Sequence, residues 1–343
     1  MQAGHAGDGA GEGTRDMTAW IQETSTWTIV LAGGEGERVK PMIQRWLGRH
    51  LPKQYCTFVG TRSMFQHTVD RAARLTAPSK TVVVAAEGHE PEVRTQLLGR
   101  PVEKVLWQPA NRDTAAGVFL PLTYVRAHDP DATVVLFPSD HFVYPEMHFL
   151  SQVRLAVEAA ERSSRLVLLG VRPDRLELEY GWIEPESNLT DVGSGKPVRN
   201  VRTFLEKPDP FRADEAMRNG ALWNTFVLAA RADVLWELGK RCFGGLLAKF
   251  ERLGDEIGGP HEAGVLEQIY RDMPQSNFSA GLLQRRPDAV AVMELENVLW
   301  SDWGKSERIA ETLRRINRQP TFHAHCLDRP FAPRSLPQPA PGP

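Results

Sequence analysis

Continuous apolar runs, rather than alternating ones, punctuate the first half of the chain. WTIVLA (27–32), TVVVAA (81–86), KVLWQ (104–108), ATVVLFPSDH (132–141) and RLVLLGVRP (165–173) read as strands. Strands of this kind need cover on both faces, which a sheet with one wet face does not give them. Segments with helical apolar spacing stand between them: MFQHTVDRAARL (64–75), EPEVRTQLLG (90–99), TAAGVFLPLTYVRAH (114–128) and EMHFLSQVRLAVEAAERS (146–163). The alternation predicts an α/β fold with a mostly parallel sheet covered by helices on both faces.

Beyond residue 173 the pattern changes. YGWIE (180–184) and VRTFLEKP (201–208) read as strands around a polar loop, and LWNTFVLAA (222–230) as another. Helices fill much of 231–271, DAVAVMELENVLW (288–300) reads as one late strand, and KSERIAETLRRIN (305–317) as a closing helix. Neither an internal repeat nor a linker divides the core, so 26–320 is expected to be one domain. Residues 1–25 are rich in Gly, Ala and acids without an apolar stretch; they read as a flexible leader, not a signal peptide. Residues 321–343 are crowded with proline and are expected to form a disordered tail.

A net charge of −2 over 343 residues argues against non-specific nucleic-acid binding, which needs a broad basic surface. The apolar runs are far shorter than the ~20 residues that cross a bilayer. Cys56, Cys242 and Cys326 are scattered and lack metal-site spacing, which suits a reducing compartment, and the expected location is the cytoplasm. NLT (188–190) and NFS (277–279) match the glycosylation sequon and are read as chance.

LAGGEGER (31–38) places Gly33, Gly34 and Gly36 at the end of the first strand, followed by Arg38. Glycines at that point of an open α/β sheet let backbone N–H groups approach an anion, and an arginine fork suits phosphate oxygens. The spacing is neither GxGxxG nor GxxxxGK[ST]. A tight turn with a solvated arginine fits these residues equally well, and LPKQ (51–54) on its own would offer a surface lysine.

Taken together, LAGGEGER…P…LPKQ resembles the signature of sugar-1-phosphate nucleotidyltransferases, above all the mannose-1-phosphate guanylyltransferases. QPANRDTAAG (108–117), FPSDH (137–141), YGWIEPE (180–186), FLEKP (204–208), WNTFVL (223–228) and LWSDWG (299–304) follow in the family's order, so the resemblance covers roughly 26–317. It implies a Rossmann-like, nucleotide-diphospho-sugar transferase type of fold and Mg²⁺-dependent transfer of a nucleotidyl group from an NTP to a sugar-1-phosphate, most naturally GTP and mannose-1-phosphate. Arg38 would hold the β- and γ-phosphates and Lys53 would reach the phosphates where the two substrates meet. Asp140 and Asp302 would carry the metal, against a plain reading of each as a turn or cap residue. His141 is read as structural. Gly33, Gly34, Gly36, Gln108, Asn111, Arg112 and Thr114 would bind the nucleotide, and Gly181, Glu206, Lys207 and Asn224 the sugar phosphate.

Departures from the family pattern bear on the substrate. VKP (39–41) replaces an apolar residue and Trp before Pro, and IQRWLGRH (43–50) lengthens the stretch before Lys53, adding Arg45 and Arg49, which would touch phosphate or lie in solvent. WNT lacks a glycine common after this asparagine, and RDT stands for the usual RNT. Uridylyl or thymidylyl transfer to glucose-1-phosphate is the alternative within the class, and a non-catalytic nucleotide-sugar binding regulator the alternative outside it. A dehydrogenase is disfavoured by the glycine spacing. Self-association is left open.

Overall fold

The computed structural model describes residues 25–190 and 192–327. All of the expected leader but Ser25 lies outside them. In chain order the strands and α-helices are β1 (Thr26–Ala32), α1 (Lys40–Leu47), α2 (Met64–Ala72), β2 (Thr81–Ala86), α3 (Glu90–Gln96), β3 (Lys104–Gln108), α4 (Asp113–His128), β4 (Thr133–Pro138), β5 (Phe142–Tyr144), α5 (Glu146–Ser163) and β6 (Leu166–Val171). They continue with β7 (Gly181–Thr190), β8 (Val198–Glu206), α6 (Pro210–Arg218), β9 (Leu222–Arg231), α7 (Ala232–Gly254), α8 (Glu262–Asp272), β10 (Val290–Glu294), β11 (Leu299–Ser301) and α9 (Ser306–Arg315).

The main sheet runs β3-β2-β1-β4-β9-β6-β10-β8-β7. Strands β3, β2, β1 and β4 are mutually parallel, as are β6 and β10, while β9 sits antiparallel between β4 and β6 and β8 is antiparallel to both β10 and β7. The expected mixed, mostly parallel sheet is what the chain forms. Its central strands are buried on both faces because their residues are apolar throughout, as in TVVLFP of β4. One apolar layer joins α4, α7 and the π-helical turn Ser279–Leu283 around Phe119, Trp236, Phe250 and Phe278; the other joins α1, α2, α5 and α9 around Phe58, Phe65, Phe149 and Trp303. From β1 the chain moves outward to β2 and β3, and after β3 it crosses back through α4 to place β4 on the other side of β1. The loops after these two strands therefore face each other across a crevice, the usual ligand position in such sheets.

Local chemistry places several boundaries. Helix α2 opens on a capping box in which the Ser63 side chain accepts from Gln66 N and Gln66 answers on Ser63 N, a motif worth about 1 kcal/mol. Helix α1 starts with Pro41 in its first turn and stops at Gly48, whose φ is 69°. It occupies the lengthened stretch that the sequence reading left without structure.

Two expectations are corrected. The single strand over 288–300 is two strands: β10 lies in the main sheet, and β11 pairs with β5 in a separate two-stranded sheet. The chain turns between them at Asn297, left-handed at φ 55°, a conformation asparagine tolerates better than its apolar neighbours. The first seven residues of the expected tail, 321–327, are ordered against α1. Phe322 is buried, 5.7 Å from the Trp46 ring, and Arg45 donates from Nε and Nη2 to the Cys326 carbonyl at 3.1 and 2.8 Å. Arg45 thus holds this segment, and Arg49 lies 3.8 Å from Glu92. The rest of the tail lies outside the described residues. No described helix is long and apolar enough to cross a membrane.

Candidate active site

A cavity of about 420 Å³ opens at the crevice between the loops after β1 and β4 and extends to the starts of β7 and α4. Gly33 and Gly34 line it. A Cβ on Gly33 would lie 2.6 Å from Gln108 Oε1, so a larger residue there would displace the end of that side chain. Gly36 has φ 65° and a Cβ there would lie 2.8 Å from that of Lys53, so this glycine seats the loop on the lysine instead of facing the cavity. Gln54 braces the turn from below, donating to Ala32 O at 3.0 Å and Gly34 O at 2.7 Å.

Lys53 is buried beneath the cavity floor and ties together the two acids that the sequence separates. Its Nζ is 2.8 Å from Asp140 Oδ2 and also donates to the Asp302 carbonyl. The two Asp302 oxygens are unequally engaged. Oδ1 accepts from Tyr180 Oη at 2.6 Å, Arg308 Nη1 at 2.6 Å and Gly304 N at 3.0 Å. Among the described residues Oδ2 accepts only from Arg38 Nη2, at 2.9 Å, and the other arm of Arg38 reaches Glu179 at 2.8 Å. Desolvation opposes ionisation of Asp302, but Lys53, Arg308, Tyr180 and Arg38 outweigh it and hold its pKa far below the usual carboxylate range. Asp140 moves the same way: desolvation is overcome by Lys53 and His141. Desolvation lowers the His141 pKa against the pull of Asp140, and its Nδ1 is 3.1 Å from Thr225 O. Two carboxylates kept ionised in one cavity are a donor set that fits a hard divalent ion such as Mg²⁺ completed by phosphate oxygens and water. Glu35, Glu37 and His50 also gather ligand atoms within 4.8 Å of one another, but Lys40 and His89 already pair with the two glutamates.

Gln108 and Thr114 line one end of the cavity with Asn111. The Gln108 amide donates to Tyr270 Oη at 2.8 Å, which directs its Oε1 toward Gly33. Asp113 is left-handed at φ 65°, and its carboxylate accepts from Thr114 N and Asn277 Nδ2 at the start of α4. That conformation favours Asn and Asp alike, which accounts for RDT in place of RNT. Arg112 is corrected: its guanidinium turns away from the cavity and donates to Tyr270 O at 2.8 Å and Arg271 O at 3.3 Å.

The opposite end holds Gly181, Glu206, Lys207 and Asn224. Gly181 and Glu206 are paired across β7 and β8, and a Cβ on Gly181 would come within 2.8 Å of the Phe204 ring. Lys207 Nζ is 3.8 Å from Glu206. Asn224 Oδ1 accepts from Phe226 N at 3.1 Å, and Phe226 itself is left-handed at φ 58° where its ring meets Phe278. A bulky residue at positive φ is costly, and this one lines the cavity.

Twelve of the site residues expected from the sequence line the cavity, while Gln54, Glu179, Tyr180, Phe226 and Asn277, and Arg308 beside it, were missed. Tyr180 and Phe226 lay inside quoted motifs. Asn277 was set aside with a sequon, Glu179 lay in none of the quoted segments, and Arg308 only within the closing helix.

The model of the family described as Nucleotidyl transferase matches residues 27–318. The xanthan biosynthesis protein XanB of Xanthomonas campestris pv. campestris (strain B100) is 30% identical over 306 residues, covering 87% of this chain and 62% of that protein. A mannose-1-phosphate guanylyltransferase of Escherichia coli (strain K12) is 29% identical over 294 residues, covering 83% of this chain and 59% of that protein. The chain therefore spans less than two thirds of the length of these relatives. A crystal structure described as mannose-1-phosphate geranyltransferase from Thermus thermophilus superposes with a TM-score of 0.71 at 25% identity, covering 84% of this chain and 79% of that one.

Proposed function

The chain belongs to the nucleotidyl transferase family, and from that premise we propose that it transfers a nucleotidyl group from an NTP to a sugar-1-phosphate, with GTP and mannose-1-phosphate as the substrate pair. A phosphate oxygen of the sugar-1-phosphate attacks the α-phosphorus, the bond from that phosphorus to the β-phosphate oxygen breaks, and pyrophosphate leaves. The protein's work in such a reaction is positioning and charge neutralisation. The glycine loop offers backbone N–H groups to the triphosphate, and Arg38 and Lys53 offset its charge. Glu206 and Asn224 accept from sugar hydroxyls and Lys207 holds the sugar phosphate. Asp140 and Asp302 would hold Mg²⁺, which supplies charge neutralisation on the transferring and leaving phosphates.

The observation that carries this reading is the pair of ionised aspartates over Lys53, set between the glycine loop and the Glu206–Lys207–Asn224 group in one cavity. The two mannose-1-phosphate relatives above support the choice of sugar. Gln108 supports a looser choice of base. With its amide N–H engaged by Tyr270, it offers an acceptor that suits guanine N1–H and the N3–H of uracil or thymine alike. Pyrophosphate release should be measured for GTP, UTP and dTTP against mannose- and glucose-1-phosphate. GTP with mannose-1-phosphate should be fastest, with measurable turnover of UTP or dTTP, and Gln108→Glu should sharpen the preference for GTP. A dominant preference for UTP or dTTP would overturn the choice of base. Absence of pyrophosphate release from every pair would favour a non-catalytic nucleotide-sugar binder.

A further inference from the structure

Arg38, which follows the glycine loop and lines the cavity, already has two partners. Its Nη1 lies 2.8 Å from Glu179 and its Nη2 2.9 Å from Asp302 Oδ2. Glu179 is in turn 3.5 Å from both Lys305 and Arg308, so the acid is held in place from behind. The backbone beneath is shaped to the pair: a Cβ on Gly304 would lie 2.6 Å from the Arg38 guanidinium carbon and 2.4 Å from Asp302 Oδ2. The guanidinium rests directly on Gly304, where any side chain would push Arg38 or Asp302 from its place.

We propose that Glu179 and Asp302 form a carboxylate clamp that holds Arg38 in the nucleotide-free protein, and that a triphosphate draws Arg38 out of it, releasing the one Asp302 oxygen open to a divalent cation. This rests on the nucleotidyl-transfer reading of the cavity. The argument turns on oxygen occupancy. Asp302 Oδ1 is saturated by Tyr180, Arg308 and Gly304, so Oδ2 is what a metal ion can reach, and Arg38 sits on it. Two cations on one oxygen repel, so Arg38 and the metal ion compete. A triphosphate settles the competition by giving Arg38 a more highly charged partner. Metal and triphosphate then bind with positive coupling, and by linkage each strengthens the other equally. Glu179 is a positioning residue in this scheme. It sets how firmly Arg38 is held.

Calorimetric titration of inorganic triphosphate in EDTA tests the clamp without metal or turnover. Glu179→Gln, a near-isosteric change at a side chain 38% exposed, should bind roughly two- to fivefold tighter than wild type, the scale of a partly exposed ion pair. Arg38→Met should bind more weakly. Equal binding by wild type and Glu179→Gln overturns the clamp, and weaker binding by Glu179→Gln overturns it too. Absence of triphosphate binding in both overturns the nucleotide reading itself. The second half is tested with Mn²⁺ alone, followed by electron paramagnetic resonance of the nucleotide-free protein. Arg38→Met should bind Mn²⁺ roughly tenfold tighter once the competing cation is gone. Unchanged or weaker Mn²⁺ binding would overturn the exchange at Asp302 Oδ2.

Discussion

Asp302 accepts four hydrogen bonds on two oxygens, whereas Asp140 meets Lys53 on one oxygen and lies 3.6 Å from His141 on the other. Both are proposed to act on the transferring phosphate, so Asp140→Asn and Asp302→Asn should each lower kcat by roughly 10²- to 10³-fold. Lys207→Met should instead raise KM for the sugar phosphate with little change in KM for the nucleotide. Steady-state kinetics with each substrate varied checks both, and a Lys207 defect confined to the nucleotide would reverse the two ends of the cavity. Glu206 gives a prediction with a sign. Burial raises its carboxyl pKa, with Lys207 pulling it down and Asp113 pushing it up. The folded state therefore binds that proton more tightly than the unfolded chain does. The stability this contributes is full below the ordinary glutamate value, about 4.3, and is lost as pH rises through the folded value. Glu206→Gln should accordingly raise Tm at pH 7 and match wild type near pH 4, even as it weakens sugar binding. A lower Tm at pH 7 in thermal scans would mean that the carboxylate is a structural partner.

At the scale of elements, legibility followed burial. Strands such as β2 and β3 matched their expected bounds because apolar residues and flanking turns mark them without help from distant partners. Helix α1 escaped notice because KPMIQRWL exposes most of its polar face, and only Met42 and Ile43 are fully buried. Strands β10 and β11 merged in the reading because the polar turn between them is short and apolar residues flank it. The seven ordered residues after 320 were hidden by the proline-rich stretch that follows. Their order depends on Trp46 and Arg45, some 280 residues away in the chain. Phe322→Ala should therefore destabilise the protein by about 3 kcal/mol, the cost of emptying a buried aromatic site. Urea unfolding checks this; a loss under about 1 kcal/mol would mean that 321–327 contribute little to the fold.

Taken as a whole molecule, the sheet brings to one crevice residues that the chain keeps apart: the loop after β1, the end of β4, the β7–β8 pair and the turn before α9. Motifs in sequence order pointed to these places. What they could not convey is which charges meet. Arg38 with Glu179, and Arg308 with Asp302 and Glu177, are contacts made by the fold, and their residues look like ordinary solvated charges when read along the chain. For the same reason Arg112 fell inside a binding motif yet points elsewhere. The central claim is that this crevice joins a nucleotide to a sugar phosphate at the α-phosphorus. Phosphorus-31 NMR of the protein with Mg²⁺, GTP and mannose-1-phosphate tests it most directly. The account predicts that the GTP and mannose-1-phosphate signals fall together while pyrophosphate and a sugar diphosphonucleoside appear in equal amounts. Release of inorganic phosphate with GDP and untouched mannose-1-phosphate would contradict it.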